Sequence, residues 1–158
     1  MIVVSDTSVI SGLLQAKYLY LLQKLYGSII IPKCVFAELQ DLGSAYHRAL
    51  TVNWIEVKEV TNIVLLHELT EVLDQGEAEA IVLAIELHAD FLLIDEKLGR
   101  AVAGRLGLKI TGILGTLIEA KKQGHVIAIR PIIDVLVSKV GFRVKKDLIE
   151  EVLKLVNE

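Results

Sequence analysis

The sequence is poor in several residue types that would direct it toward particular protein classes. Its 158 residues include one cysteine, two prolines and few aromatic side chains. The single cysteine, Cys34, excludes an internal disulfide framework and a CxxC metal clip. The apolar runs are far too short to span a bilayer, and Asp6 interrupts the strand-like first residues, which makes them a poor secretory signal. These absences favour a cytoplasmic protein that does not enter a membrane.

Neither sign of charge dominates, because the chain has 17 basic and 20 acidic residues and a formal net charge of −3. This balance argues mildly against a non-specific nucleic-acid binder, which usually has a basic excess. Hydrophobic residues are abundant at 53%, enough to fill both faces of a buried sheet and leave apolar surface for self-association. With no repeat, low-complexity tract or linker, the chain is predicted to form a single domain over residues 1–158.

Hydrophobic patterning predicts strands that alternate with helices. Four apolar stretches are typical of strands buried on both faces, namely "IVVS", "SIII", "FLLI" and "LKIT". A fifth, "WIEVKEV", alternates apolar and polar residues as an edge or surface strand does. Helical periodicity marks one segment from Ile10 to Tyr26. A short helix is predicted at "PKCVFAELQ", with Pro32 in its first turn. Further helices are predicted at "GEAEAIVLAIELHA", "EKLGRAVAGRLG", "ILGTLIEAKKQG" and "KKDLIEEVLKLVNE". This alternation predicts an α/β domain whose central parallel sheet of four to five strands is covered by helices on both sides.

Two aspartates directly follow predicted strands, Asp6 after "IVVS" and Asp95 after "FLLI". If these strands are parallel neighbours, roughly 4.8 Å apart, both carboxylates emerge at the same edge of the sheet. Two such anions repel each other unless one is protonated or a cation lies between them. Because hard oxygen ligands suit Mg²⁺ or Mn²⁺, the spacing indicates a metal site at this edge.

Other polar residues are placed to join this site. Glu38 lies on the helix after "SIIIP", and Glu77 lies at the start of the helix in "DQGEAEA". Thr7 and Ser8 supply hydroxyls beside Asp6. Thr111, in "TGILG", lies where the backbone N–H groups of a helix start suit a phosphate. For Ser8 and Thr111, a role as helix caps is favoured over one as ligands.

The acids also have structural interpretations. Asp6 and Asp95 could be helix N-caps or turn residues. Glu77 stands three residues after Asp74, which is close to the spacing of a capping box. Glu38 alone would be a solvated helix residue. The joint placement of acids after several predicted strands favours a functional site, because independent capping does not require it.

Five segments occur here in a familiar order and spacing: "VSDTSVI", "PKCVFAEL", "LDQGEAEAIVLA", "LLIDEKLGRAVA" and "ITGILGTLIEAKKQG". Together they resemble the PIN-domain family, and most closely its compact prokaryotic branch related to VapC-type toxin ribonucleases. The resemblance covers nearly the whole chain, including the ending "GFRVKKDLIEEVLKLVNE". It implies a three-layer α/β/α fold with a metal-dependent nuclease site lined by acids.

The resemblance also implies roles for individual residues. Asp6 matches the first acid of the family, Glu38 the acid of its second helix, and Asp95 the acid after its fourth strand. Ser8 matches a position often held by a hydroxyl. Glu77 stands where many members have aspartate, and this departure leaves the number and strength of bound ions open.

The expected reaction is hydrolysis of RNA phosphodiester bonds by a metal-activated water, with one or two Mg²⁺ or Mn²⁺ ions held by these four acids. Lys97, Arg100 and Arg105, on the helix after Asp95, could hold flanking phosphates, although a solvated helix face explains them equally well. Toxins that resemble this chain are typically homodimers silenced by a small antitoxin protein that fills the acidic cleft. Cys34 is expected in the core.

The sequence alone leaves other functions open. A phosphatase that uses Asp6 as its nucleophile needs a second acid two residues later, where Ser8 stands. Phosphoacceptor receiver domains usually pair acids ahead of the end of the first strand, and "MIVVSD" has none there. No GxGxxG follows the first strand, which weighs against a dinucleotide site. The main alternative is a catalytically weak PIN-like module that binds RNA or a protein partner.

Overall fold

The computed structural model describes all 158 residues and contains one sheet of five parallel strands. The strands are β1 (Val3–Ser5), β2 (Ile29–Pro32), β3 (Ile55–Lys58), β4 (Phe91–Leu93) and β5 (Ile110–Thr111). Their order across the sheet is β3-β2-β1-β4-β5. The predicted parallel sheet is therefore confirmed, with "WIEVKEV" at one edge. The stretch "LKIT", predicted to be buried on both faces, forms the other edge, and the two residues of β5 are half-buried.

Ten α-helices and one π-helix connect and cover the strands. The α-helices are α1 (Thr7–Gln15), α2 (Tyr20–Tyr26), α3 (Lys33–Gln40), α4 (Ser44–Leu50), α5 (Ile63–Leu69), α6 (Gln75–Glu86), α7 (Lys97–Arg105), α8 (Ile113–Lys122), α9 (Arg130–Val135) and α10 (Lys146–Leu155). The π-helix, Leu136–Val140, follows α9 directly. No helix combines the length and apolarity that a bilayer crossing needs.

Successive side chains of the strands contribute to two separate cores, one on each face of the sheet. Val3 and Leu93 belong to the larger core, which includes residues of α1, α2, α3, α8, α9 and α10. Val4, Leu92 and Ile94 belong to the smaller core, which includes residues of α5, α6 and α7. Because neighbouring strand residues point to opposite faces, a sheet covered on both sides requires continuous apolar runs. The predicted three-layer α/β/α architecture is confirmed.

The topology places the ends of β1 and β4 side by side. β1 pairs with β2 on one side and with β4 on the other, and Ser5 lies opposite Leu93. The Asp6 N–H donates to the Leu93 carbonyl at 3.0 Å, which extends this pairing by one residue. The strand order reverses between β1 and β4, and open α/β sheets bind ligands beyond the carboxyl ends of strands at such a point. Asp6 and Asp95 both follow strands that end there.

The segment from Ile10 to Tyr26, predicted as one helical stretch, forms two helices, α1 and α2, separated by a turn. α1 ends in a Schellman motif, in which the Tyr18 N–H donates to Leu13 O at 2.8 Å and the Lys17 N–H donates to Leu14 O at 3.0 Å. Lys17 adopts a left-handed conformation with φ of 66°, a position where glycine is usual. A lysine there gives no sequence signal for the break.

Other boundaries also differ from the sequence prediction. Pro32 ends β2 and immediately precedes α3, rather than lying in its first turn, because its ψ of 154° is extended. The short helices α4, α5 and α9 have no counterpart in the sequence prediction, since six or seven residues hold too few turns to show a helical period. The glycines that close "EKLGRAVAGRLG" and "ILGTLIEAKKQG" both adopt the left-handed conformation typical of helix ends, with φ of 81° at Gly107 and 77° at Gly124.

Replacing Lys17 with glycine is expected to stabilise the protein by up to about 1 kcal/mol, because glycine adopts a positive φ without a Cβ clash. The greater freedom of glycine in the unfolded chain offsets part of this gain. Urea denaturation followed by circular dichroism measures the change. Lys17→Ala is the control, since it removes the long side chain and keeps the Cβ. A glycine variant no more stable than the alanine variant would contradict the prediction.

Candidate active site

A cavity of about 520 Å³, which we call the acidic cavity, opens at the carboxyl edge of the sheet. No hydrophobic residue and no cation line it. Its lining residues are Asp6, Thr7, Ser8, Ser11, Glu38, Asp74, Glu77 and Glu96. Five of these are carboxylates, and they come from four places: the end of β1, the middle of α3, and the starts of α6 and α7. The fold thus brings together three of the four acids singled out in the sequence, namely Asp6, Glu38 and Glu77.

Asp6 is the most deeply buried carboxylate of the acidic cavity, with 2% of its surface exposed. It caps α1, because its Oδ1 accepts the Val9 N–H at 3.2 Å and its Oδ2 accepts the Ser8 hydroxyl at 2.9 Å. Burial raises the pKa of Asp6 to about 7; the two hydrogen bonds oppose this, and the negative charges of Asp95 and Asp74 add to it. Asp6 is therefore both a helix cap and a desolvated acid.

Glu38 extends from α3 and is held by two donors. The Thr7 hydroxyl donates to its Oε2 at 2.6 Å, and the Cys34 thiol donates to its Oε1 at 3.4 Å. The carboxylate packs against Gly76 in α6, where a Cβ would lie 2.8 Å from Oε1. Glu38 is therefore a positioned acid rather than a freely solvated one, and the missing side chain at Gly76 gives it room.

Cys34 is not the core residue that the sequence predicted. It is half-buried beside Glu38, and burial, followed by the hydrogen bond to Glu38 and its charge, raises the pKa of the thiol to about 12. A thiol with such a pKa stays protonated at neutral pH and is a poor nucleophile. It serves here as a hydrogen-bond donor to Glu38.

The start of α6 contributes two acids. Asp74 caps the helix by accepting the Glu77 N–H on Oδ1 at 2.8 Å, in agreement with the capping interpretation. The Glu77 side chain nonetheless lines the acidic cavity, where burial, followed by the charge of Asp74, raises the pKa of Glu77 to about 7. Asp74 lines the cavity as well. Its spacing from Glu77 indicates only a cap, but an aspartate that caps a helix beginning at this edge of the sheet is also placed to join the site.

Asp95 lies beside the acidic cavity rather than in its lining. Its two oxygens accept the Ile113 N–H at the start of α8, at 3.3 and 3.2 Å. A Cβ at Gly112 would collide with its Oδ1, so that this close approach requires glycine. Burial raises the pKa of Asp95, whereas the Ile113 N–H and the charge of Arg100 lower it.

Asp95 lines a second cavity of about 350 Å³, which we call the side groove. Its lining residues are Ser8, Ser11, Gly12, Gln15, Asp95, Glu96, Ile113, Val140, Gly141, Phe142 and Arg143. The side groove shares Ser8, Ser11 and Glu96 with the acidic cavity. The two cavities therefore adjoin each other, and we call them together the cleft.

At the start of α8, where the sequence predicts a phosphate site, the Asp95 carboxylate already accepts the Ile113 N–H. An anion at this helix start would meet a negative charge. Thr111, predicted to support the site, lines neither part of the cleft. Its hydroxyl instead packs against Gly115 of α8.

None of the three predicted substrate-binding cations lines the cleft. Lys97 is exposed at the first residue of α7. Arg100 donates to the Ile94 carbonyl at 2.8 Å and is thereby held close to the sheet. Arg105 ends α7, roughly 12 Å along the helix from Lys97. The one cation in the lining is Arg143, in the side groove. No motif in the sequence around Arg143 identifies it as a site residue.

The donor atoms of the acidic cavity suit a hard divalent cation, since its polar side chains are carboxylates and hydroxyls. Five carboxylates face each other without a cation in the lining, and burial raises the pKa of Asp6 and of Glu77 to about 7. As the side chains stand, no three acidic, histidine or cysteine side chains are grouped closely enough to hold one ion. The chemistry of the cavity fits a divalent ion, and binding would draw the carboxylates together.

Comparisons with known proteins agree with this architecture. The family model DUF3368, described as a PIN domain, matches residues 2–158. A solved PilT N-terminus domain protein from the hyperthermophilic archaeon Sulfolobus solfataricus has a TM-score of 0.55 at 23% identity, with 76% of this chain and 93% of that chain covered. The PIN domain endonuclease Utp24 has a TM-score of 0.50 at 19% identity, with 70% of this chain and 84% of that chain covered. At these identities the similarity concerns the fold. No curated protein matches the chain.

Asp6→Asn is expected to stabilise the metal-free protein at pH 8, by on the order of 2–4 kcal/mol. The folded pKa of Asp6 is about 7 and its ordinary value is 3.8, so between these pH values the folded state binds a proton that the unfolded state does not. The stability of the wild-type protein therefore falls as pH rises from about 4 to 7. The asparagine carbonyl still accepts the Val9 N–H, and the advantage of the variant should shrink toward pH 4.

Urea denaturation in EDTA at several pH values measures this difference. Asp134→Asn, which changes an exposed aspartate of α9, is the matched control and should follow the wild-type curve. A stability difference between Asp6→Asn and the wild-type protein that does not change with pH would contradict the raised pKa.

Proposed function

The chain belongs to the PIN-domain family, and on this premise we propose that it is a Mg²⁺- or Mn²⁺-dependent endoribonuclease. PIN domains are generally nucleases. The observation that supports this proposal most directly is the acidic cavity, in which five carboxylates and three hydroxyls meet where the strand order reverses. Such a set of oxygen donors is typical of sites that cleave phosphodiester bonds with divalent ions.

The proposed ligands of one or two divalent ions are Asp6, Glu38, Glu77 and Asp95. When bound, such an ion supplies a water of lowered pKa and neutralises charge on the phosphate. The side chains of Ser8 and Thr7 support this set, because their hydroxyls donate to Asp6 and Glu38 and so fix the orientation of both carboxylates. A covalent cysteine nucleophile is not part of this proposal, since Cys34 lies outside the lining of the acidic cavity and its thiol is held protonated.

The proposed substrate is RNA, and the cations of α7 differ in how they could contact it. Lys97 begins the helix next to Glu96 of the cavity lining and is the best placed of the three to contact a flanking phosphate. Arg100 acts mainly on the site itself, because its charge lowers the pKa of Asp95. Arg105, at the far end of α7, would contact only a longer RNA strand.

The resemblance to VapC-type toxins supports a biological role as the toxin of a toxin–antitoxin pair, acting in the cytoplasm as a homodimer. A small antitoxin protein would then inhibit cleavage by covering the acidic cavity. The chain has exposed apolar side chains of the kind that such interfaces cover, including Ile63 and Val64 on α5 and Leu98 on α7.

A second candidate function is a PIN-like module that binds RNA or a protein partner without efficient cleavage. One observation favours it: no three potential ligands are grouped closely enough to hold an ion as the side chains stand. The two candidates differ in whether divalent ions bind the protein and whether their removal stops cleavage.

Asp6→Asn and Asp95→Asn are each expected to lower the rate of RNA cleavage at least roughly 100-fold, because each removes a charged ligand. The measurement is cleavage of structured and single-stranded RNA in Mn²⁺ or Mg²⁺. EDTA should abolish cleavage by the wild-type protein, and Asp134→Asn should cleave at the wild-type rate. Cleavage that survives EDTA and both substitutions would contradict the proposal.

Mn²⁺ and Mg²⁺ are expected to raise the melting temperature of the wild-type protein, by an amount equivalent to about 2.7 kcal/mol at 100 times Kd. Asp6→Asn and Glu77→Gln should reduce this shift, because each removes a negative charge from the proposed site. Differential scanning fluorimetry with increasing metal measures it, with Asp134→Asn as the control. Equal shifts in the wild-type protein and both site variants would place the bound metal elsewhere.

A further inference from the structure

We propose that the side groove binds the nucleotide adjacent to the scissile bond of a single-stranded RNA, with Arg143 contacting its phosphate and Phe142 contacting its base. This inference rests on the proposed nuclease function. It concerns the part of the cleft outside the acidic cavity, which is lined by four residues of α1, by Asp95, Glu96 and Ile113, and by Val140–Arg143 at the end of the π-helix.

The position beside the acidic cavity is the first support. Ser8, Ser11 and Glu96 line both parts of the cleft, so the nucleotide next to one bound at the acids would lie at the side groove. Asp95 lies in the groove lining, on the side that faces α8. The groove volume of about 350 Å³ falls in the range of small-ligand sites, which suits one nucleotide of a single strand.

Charge is the second support. Arg143 is the only cation that lines the cleft, whereas six carboxylates line it. Although Asp95 and Glu96 share the side groove, Arg143 makes no salt bridge within 4.0 Å. An exposed, unpaired guanidinium offers several donors in a planar fork that matches phosphate oxygens. Within the cleft, Arg143 is therefore the one point of attraction for a phosphate, and the carboxylates around it repel a polyanion until they are neutralised.

The backbone gives Phe142 and Arg143 a defined position. The π-helix ends at Gly141, which adopts a left-handed conformation with φ of 82°, and the Phe142 N–H then donates to Leu136 O at 2.8 Å. Leu136 itself is fully buried in the larger core. Short π-helices are rare and occur frequently at functional sites. The two side chains therefore project from an anchored turn rather than from a free tail.

An aromatic side chain next to a cation is the usual way to bind an unpaired nucleotide, because every base has a face that can stack. The chain has three phenylalanines, and Phe142 is the one that lines the cleft. It is partly buried against the larger core and also lines the groove. The core therefore anchors the ring at a position where a bound base would meet it.

The test measures binding and cleavage separately. A short fluorescent single-stranded RNA is titrated with protein in EDTA at several salt concentrations, and cleavage of the same RNA is measured in Mn²⁺. Arg143→Ala should raise Kd roughly tenfold, lower the magnitude of the slope of log Kd against log salt by about 0.7, and raise KM with little change in kcat. Phe142→Leu should raise Kd at least about fivefold without changing that slope.

Two further variants make these results specific. Arg143→Lys should restore the salt slope but only part of the affinity, because an ammonium lacks the planar fork. Lys109→Ala removes one charge at the amino end of β5, where its carbonyl accepts the Leu92 N–H, and should change Kd less than about twofold. Melting temperatures close to that of the wild-type protein show that each variant is folded.

The outcomes separate this proposal from the proposed nuclease function. Wild-type RNA affinity and salt slope in Arg143→Ala would overturn the proposal even if cleavage is intact. Weakened binding in Arg143→Ala would support it even if the wild-type protein cleaves no RNA, and only the nuclease proposal would then fail. A polyglutamate peptide that binds in an Arg143-dependent manner, while RNA does not, would overturn it in favour of a protein partner.

Discussion

The burial of Asp6 at the end of the central strand is the constraint on which the rest of the site depends. Its carboxylate has the Val9 N–H and the Ser8 hydroxyl as donors, but no cation of the chain lines the surrounding cavity. Desolvation is therefore only partly compensated, and the pKa of Asp6 is raised to about 7. Protonation or an external cation relieves this cost. A fold that keeps a carboxylate here gives up stability, which is common at functional sites.

The other acids are held by contacts between elements rather than within them. Thr7 of α1 donates to Glu38 of α3, 31 residues away, and the Ile113 N–H of α8 donates to Asp95, 18 residues away. Gly76 and Gly112 leave the space that these carboxylates occupy. Each acid thus depends on a different pair of elements, and the packing of both faces of the sheet is needed to assemble the cleft.

The sequence predicts the sheet and the acids well because both follow from local patterns. Apolar runs followed by aspartate identify β1 and β4, and the alternation of strands and helices indicates a parallel sheet. That β1 and β4 are neighbours is an assumption from the sequence, and the structure supplies it. The break between α1 and α2 at Lys17 cannot be predicted from the sequence, because a lysine adopts the left-handed conformation for which glycine is the usual signal. His88 adopts the same conformation after α6, with φ of 50°. The hydrogen bond between Ile113 and Asp95 cannot be predicted from local patterns either, because it joins the starts of two helices that are distant in sequence and meet only in the folded sheet.

Charge in this chain is distributed unevenly, which is compatible with the proposed binding of RNA by a chain of net negative charge. The six carboxylates and one guanidinium of the cleft carry a formal charge of −5, so the rest of the chain, whose total is −3, carries +2. The barrier to an anionic substrate is therefore local. Two divalent ions would change the formal charge of the cleft from −5 to −1. Arg143 lies in the side groove, where it offsets part of the negative charge that remains. Metal loading and substrate binding should for this reason be linked, with each favouring the other.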